Sequence, residues 1–183
     1  MGNIALTIAG SDSCGGAGIQ ADIKTFSALG VYGCSVITAI TAQNTKTVIG
    51  IEEISDEIIR AQITSILSDL SVDAIKLGMV FSKDIINVIF SEIKHLKIPI
   101  ILDPVMIAKS GDSLLKNDAI TELKEKLIPI STLLTPNLPE ASKILSCNLA
   151  KNTFEMAEQG KALCKKGAKS VLIKGGHQTG EYC

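Results

Sequence analysis

The chain has 183 residues, 46% of them hydrophobic and 3% aromatic, and a formal net charge of −1. That length suffices for one domain with a sizeable core. The near-neutral balance leaves no basic footprint for nucleic acid or an anionic membrane, and the scarcity of aromatic residues argues against base-stacking platforms.

Mean hydropathy is positive, at +0.33. Yet each apolar run is short and interrupted, and none approaches the ~18 residues of a spanning helix. The start lacks the basic region of a secretory signal, and Leu6 stands where a myristoylation signal needs Ser or Thr. Five scattered cysteines, no C-x-x-C and only two histidines offer no zinc-like ligand set. Reduced thiols and a cytoplasmic location are expected.

In chain order, Ile4–Ala9 reads as a buried strand, followed by a glycine turn and a helix over Ala17–Leu29. Ile19, Ile23, Phe26 and Leu29 share one face of that helix. Gly10, Gly15, Gly16 and Gly18 predict a backbone that approaches a small polar or anionic ligand and aims unpaired N–H groups at it. Strands follow over Cys34–Thr41 and Ile49–Ile54. Ser55 opens a helix over Asp56–Leu70. Strand Ala74–Leu77, helix Lys83–Leu96 and strand Ile98–Leu102 come next. The spacing then predicts a helix over Asp118–Leu127, stopped by Pro129, and a strand over Thr132–Leu134. Helix Pro139–Leu145 precedes helix Phe154–Lys166. The latter is opened by an Asn152-x-x-Glu155 capping box and closed by Gly167, before a last strand over Val171–Ile173.

Strands alternating with helices predict an α/β fold, with a mainly parallel sheet covered on both faces. Ligands of such sheets bind outside the carboxyl ends of the strands. The polar and unusual residues fall there: Ser11-Asp12, Gln43-Asn44-Thr45, Gly78-Met79, Asp103-Pro104, Thr135-Pro136-Asn137 and Lys174-Gly175-Gly176.

Two familiar glycine loops are tested against the first turn. Gly10 and Gly15 have the first spacing of a P-loop, but Gly16-Ala17 replaces its lysine and hydroxyl. Gly16-Ala-Gly18-Ile-Gln-Ala21 satisfies the dinucleotide pattern. That fold wants a ribose-binding acid about 20 residues on, and no Asp or Glu occurs from Ile23 to Ile51. A nicotinamide enzyme is disfavoured, and a turn that merely joins elements stays open.

Six blocks match one family in one order: the first loop and helix, Thr41–Thr45, Lys76–Met79, Leu102–Met106 with Lys109–Asp112, Leu134–Asn137 with Glu140, and Leu172–His177. The chain resembles the hydroxymethylpyrimidine/phosphomethylpyrimidine kinases of thiamine biosynthesis, within the ribokinase-like superfamily. The resemblance implies a three-layer α/β/α, ribokinase-like fold with residues 1–183 as a single domain. It implies ATP and Mg2+, a small-molecule pyrimidine substrate, a homodimer, and no nucleic-acid or membrane partner.

It also implies roles for particular residues. Asp22 lies near the substrate hydroxymethyl group, Gln43 hydrogen-bonds the aminopyrimidine, and Gly10, Met79 and Val105 complete the substrate site. Lys174 contacts phosphate, Asn137 and Glu140 belong to the magnesium and phosphate region, and Asp103 reaches the metal through water. Plainer readings stand beside these: helix first-turn acids for Asp22 and Glu140, a loop-capping amide for Gln43, ordinary core for Met79 and Val105, and a solvated lysine for Lys174. Cys14 reads as a bystander rather than a nucleophile, and His177 is unassigned.

The family pattern runs on past these 183 residues to a G-[TA]-G-C helix start that forms an anion hole for the transferring phosphoryl group. That motif does not occur here, so no catalytic residue is assigned and the sheet reads as C-terminally truncated. The implied activity is ATP-dependent phosphorylation of 4-amino-5-hydroxymethyl-2-methylpyrimidine and of its monophosphate, competent only with that further part. Two alternatives stand: a truncated, non-catalytic pyrimidine-binding remnant, and a pyridoxine/pyridoxal kinase.

Overall fold

The structure, a computed structural model, describes residues 2–106, 115 and 118–176. Seven strands form one sheet: β1 (Ile4–Asp12), β2 (Tyr32–Gln43), β3 (Val48–Glu53), β4 (Ala74–Leu77), β5 (Ile100–Leu102), β6 (Leu133–Leu134) and β7 (Ser170–Val171). Their order is β3-β2-β1-β4-β5-β6-β7. Every neighbouring pair is parallel except β2 and β3, which form an antiparallel hairpin. The order across β2-β1-β4 resembles a dinucleotide-binding sheet. The edge does not, since β3 returns by a tight turn rather than a helical crossover.

The helices are α1 (Gly18–Ala28), α2 (Asp56–Asp69), α3 (Lys83–Ile93), α4 (Ala119–Glu122), α5 (Ile128–Ile130), α6 (Leu138–Leu145) and α7 (Thr153–Lys165). Helix α2 packs on α3, and α3 on α4, in one layer; α1 packs on β1 and β2. The path across the sheet reverses after the hairpin, so right-handed crossovers put α1 on the opposite face. The result is a three-layer α/β/α arrangement.

Strand alternation sorts the side chains. Leu6 and Ile8 of β1, and Ile75 and Leu77 of β4, are fully buried in the main core. Helix α3 adds Ile85, Ile86, Ile89 and Ile93 on one stripe. Each such side chain contributes about 1.5–3 kcal/mol by leaving water. Thr7 and Lys76, directly opposite one another in the β1–β4 register, therefore face α1.

Three local expectations need correction. Helix α4 does not stop at Pro129. It continues through a π-helical turn over Leu123–Leu127 into α5, with Pro129 at the start of α5. A proline cannot take part in the regular bonding ladder, and a wider turn before it accommodates the missing N–H. At α7, Asn152 Oδ1 accepts from Glu155 N–H at 2.8 Å, but Glu155 accepts from Lys151 N–H instead of closing the box on Asn152. The complete reciprocal box lies one helix earlier, between Asn137 and Glu140 at α6. Strand β1 runs past Gly10 to Asp12 through an irregularity between Ala9 and Ser11. The Ser55 and Gly167 signals act as expected: Ser55 caps α2, and Gly167 turns the chain at φ 115°.

Candidate active site

Residues at the carboxyl ends of the strands are held by a staircase of backbone bonds. Gly78 N–H donates to Ile8, Asp103 to Leu77, Thr135 to Leu102 and Lys174 to Pro136, at 2.8–3.0 Å. Each strand end is thus fixed by its neighbour. The polar residues that follow converge on one cleft of about 620 Å³. Gly10, Asp22, Gln43, Met79, Asp103, Val105, Asn137, Glu140 and Lys174 all line it. Lys109–Asp112 and His177, also quoted from the sequence, lie outside the described residues.

The glycine loop differs from expectation. From Cys14 to Ala17 its N–H groups do not point unpaired at a ligand. Asp12, only 4% exposed, takes all four in succession. Its carboxylate accepts from Cys14, Gly16 and Ala17 at 2.9–3.0 Å, and its carbonyl accepts from Gly15. Gln20 ties the other side, accepting from Asp12 N–H and donating to Ser11 Oγ. A buried carboxylate needs hydrogen-bond donors, and the loop supplies them to Asp12. The glycines serve close packing of the chain on itself. A Cβ on Gly18, where φ is +58°, would overlap the carbonyl oxygen of Gly10; one on Gly10 would overlap the Met79 methyl.

Beside this loop, Asp22 Oδ2 accepts from Thr7 Oγ1 at 2.6 Å and from Lys76 Nζ at 2.9 Å. Gln43 sits at the end of β2. Its main chain is latched by Ser13, whose hydroxyl donates to the Gln43 carbonyl and accepts from its N–H. Its side-chain oxygen accepts weakly from Thr41 Oγ1 at 3.2 Å. Met79 and Ala39 form a small apolar cluster with Ile51, Phe81 and Val105, separate from the main core. Met79 and Val105 are therefore a wall of the cleft rather than part of that core.

At the far end, Lys174 Nζ lies 2.7 Å from Asp103 Oδ1, which also accepts from Thr135 Oγ1 at 3.3 Å. Asn137 and Glu140 are bonded reciprocally, Glu140 Oε2 to Asn137 N–H at 2.8 Å and Asn137 Oδ1 to Glu140 N–H at 2.9 Å. The helix-capping reading of Glu140 is thus realised. Burial, which disfavours the charged form, raises the Glu140 pKa above the ordinary 4.5. Its bond to Asn137 and the charge of Lys174 oppose the shift, and Asp103 adds to it.

Lys76 also lines the cleft, although no role was expected for it. The signal lies in Ile75-Lys76-Leu77: a charge between two core residues, on a strand flanked on both sides, needs a partner within the fold. Asp12 was seen only as polar, because its four N–H partners depend on how the loop closes.

A cleft at the carboxyl ends of a parallel sheet, with an acid–lysine pair at each end, is the arrangement on which the relatives bear. The phosphomethylpyrimidine kinase family matches residues 12–183. The chain belongs to that family. It is 52% identical over 181 residues to the hydroxymethylpyrimidine/phosphomethylpyrimidine kinase of Rhizobium meliloti, covering 99% of this chain and 68% of that protein. Phosphomethylpyrimidine kinase of Clostridium difficile 630 superposes with a TM-score of 0.90 at 49% identity, over 98% of this chain and 78% of that one. A Bacillus subtilis pyridoxal kinase, solved as an ADP complex, gives 0.90 at 39% identity, over 99% and 69%. By family the protein is a kinase of thiamine biosynthesis, on a ribokinase-like fold. Among the described residues no helix is long and apolar enough to cross a membrane.

Proposed function

We propose that the cleft binds 4-amino-5-hydroxymethyl-2-methylpyrimidine at the glycine-loop end and magnesium-ATP at the Lys174 end, and that the phosphoryl group passes between them. The observation carrying this reading is the convergence of substrate-type and phosphate-type side chains from six strand ends on one cleft. The ring lies against Met79 and Val105. The Gln43 carboxamide, which donates and accepts at once, reads the aminopyrimidine edge. Asp22 accepts from the substrate hydroxyl and orients its oxygen. That oxygen bonds to the γ-phosphorus, the bond from phosphorus to the bridging oxygen breaks, ADP leaves and the hydroxyl proton is released. Lys174 steadies the phosphates. The protein's contribution is positioning and charge.

Among the described residues no group of three or more His, Cys, Asp or Glu could hold a metal ion. Magnesium fits nevertheless, because it uses one or two carboxylates and takes the rest from phosphates and water. Asp103 and Glu140 would hold it, and it would supply charge neutralisation to the phosphates.

A second reading, pyridoxal phosphorylation, is favoured by the likeness to the Bacillus subtilis enzyme at lower identity. A substrate panel separates them. The protein is incubated with magnesium-ATP and each acceptor, the esters are identified by mass, and binding is measured by calorimetry. Preference for the pyrimidine is expected; tighter binding and faster esterification of pyridoxal would replace the first reading by the second.

A further inference from the structure

We propose that Lys76 receives the phosphate of the monophosphorylated pyrimidine, the acceptor of the second transfer. The proposal rests on the reading of the cleft given above. Lys76 lies between Ile75 and Leu77, both fully buried, on a strand flanked by β1 and β5. Its side chain leaves the core face and passes under α1 into the cleft. The fold makes room for it at Gly78, where a Cβ would come within 2.9 Å of the ammonium.

The ammonium has three donors, and the hydrogen bond to Asp22 takes one. It therefore retains donors at the end of the cleft where the hydroxymethyl group would lie. That matters because the two acceptors differ in charge. The alcohol brings none, and Asp22 suits it. The monophosphate brings about −1.5 to −2, and a carboxylate alone would repel it.

The loop segment from Cys14 to Ala17 does not relieve that repulsion. Its N–H groups are all bonded to Asp12. Lys174 is paired with Asp103 at the far end. Lys76 is the cation already beside Asp22, able to bridge carboxylate and phosphate together. The pair thereby serves both acceptors: the carboxylate takes the hydroxyl of the first, and the ammonium takes the phosphate of the second.

The test titrates the alcohol and the monophosphate separately into the 183-residue chain by calorimetry. It compares the wild type with Lys76→Met, Lys76→Arg, Asp22→Asn and the Lys76→Met/Asp22→Asn double variant. Loss of a charged hydrogen bond predicts that Lys76→Met weakens the monophosphate ~10- to 100-fold more than the alcohol. Lys76→Arg should restore most of the loss. The double variant removes the ion pair entirely and leaves no unpaired buried charge, so it decides the point even where Lys76→Met does not fold. It should bind the monophosphate at least about tenfold more weakly than Asp22→Asn does. Equal affinity of those two for the monophosphate would show that Lys76 merely neutralises Asp22 and would overturn the proposal. A wild type that binds neither compound would remove the reading of the cleft and this proposal with it. A wild type that binds both puts only Lys76 at stake.

Discussion

The two ends of the cleft are built differently from similar parts. Each has a lysine within 3 Å of an aspartate, Lys76 with Asp22 and Lys174 with Asp103. At the glycine-loop end the polar groups are knitted into the fold. Asp12 is buried under four backbone donors, Gln20 bonds the loop twice, and Lys76 rises from a central strand. At the other end the pair is more open, with Lys174 side chain 43% exposed and Asp103 25%. The first end is tied into the fold by its own hydrogen bonds; on the proposed reading of the cleft, the second leaves its charges accessible to a ligand that carries many of its own. A neutral ring needs preorganised shape, whereas phosphates bring charge that organises its own partners.

Substitutions should separate stability from binding along that line. The largest effect is expected at Gly18. Alanine there meets both a positive φ and the Gly10 carbonyl, and should cost about 2–4 kcal/mol in denaturant unfolding. Gly30, at φ +71° with nothing near its absent Cβ, is the control; alanine there should cost only about 1–2 kcal/mol. Comparable losses at both positions would mean that the Gly10 contact does not constrain the loop.

Asp12→Ala should follow, costing about 1.5–3 kcal/mol by removing the charged acceptor that holds the Cys14, Gly16 and Ala17 N–H groups. Asp103→Ala should cost less than about 1 kcal/mol, as expected for a partly exposed pair, while weakening magnesium-nucleotide binding. If thermal melts ranked these two in the reverse order, the contrast between the ends would be wrong.

Gln43→Leu should leave the melting temperature unchanged and weaken the pyrimidine roughly 5- to 150-fold, the worth of unpaired polar groups in a dry site. Equal dissociation constants would remove Gln43 from the site.

The smallest effect concerns pH. The folded-state pKa of Glu140 is raised, so the unfolded chain releases this proton first. Its contribution to stability is full below 4.5 and declines as pH rises from there through the folded value. Glu140→Gln keeps the acceptor for Asn137 N–H and should flatten that decline. A wild-type-minus-variant stability difference that does not change with pH above 4.5 would contradict the burial of this acid.

Much of the fold is legible in the chain. Ile4–Ala9 and Ala74–Leu77 read as central strands, because short apolar runs bounded by turn residues suit a buried sheet and are too brief for a helix. The helices from Ala17, Asp56 and Lys83 are readable from their apolar stripes. The sequence also brings together the nine residues that line the cleft, because parallel sheets place polar residues at strand ends and six blocks match one family in order.

Tertiary structure decided the rest. Whether glycine-loop N–H groups are free depends on which acceptor the folded loop brings to them. Asp12 fills that place, although nothing local distinguishes it from Ser11 or Ser13 as a surface polar residue. Pro129 ends a helix by local rule, yet packing of the π-helical turn over Leu123–Leu127 carries it on. The capping signature at Asn152 and the one at Asn137 look alike in sequence, and only the second closes, with Glu140 buried in the fold. Local spacing fixes periodicity and hence elements. Which buried donor meets which acceptor is a long-range matter of close packing, and that pairing shaped this cleft.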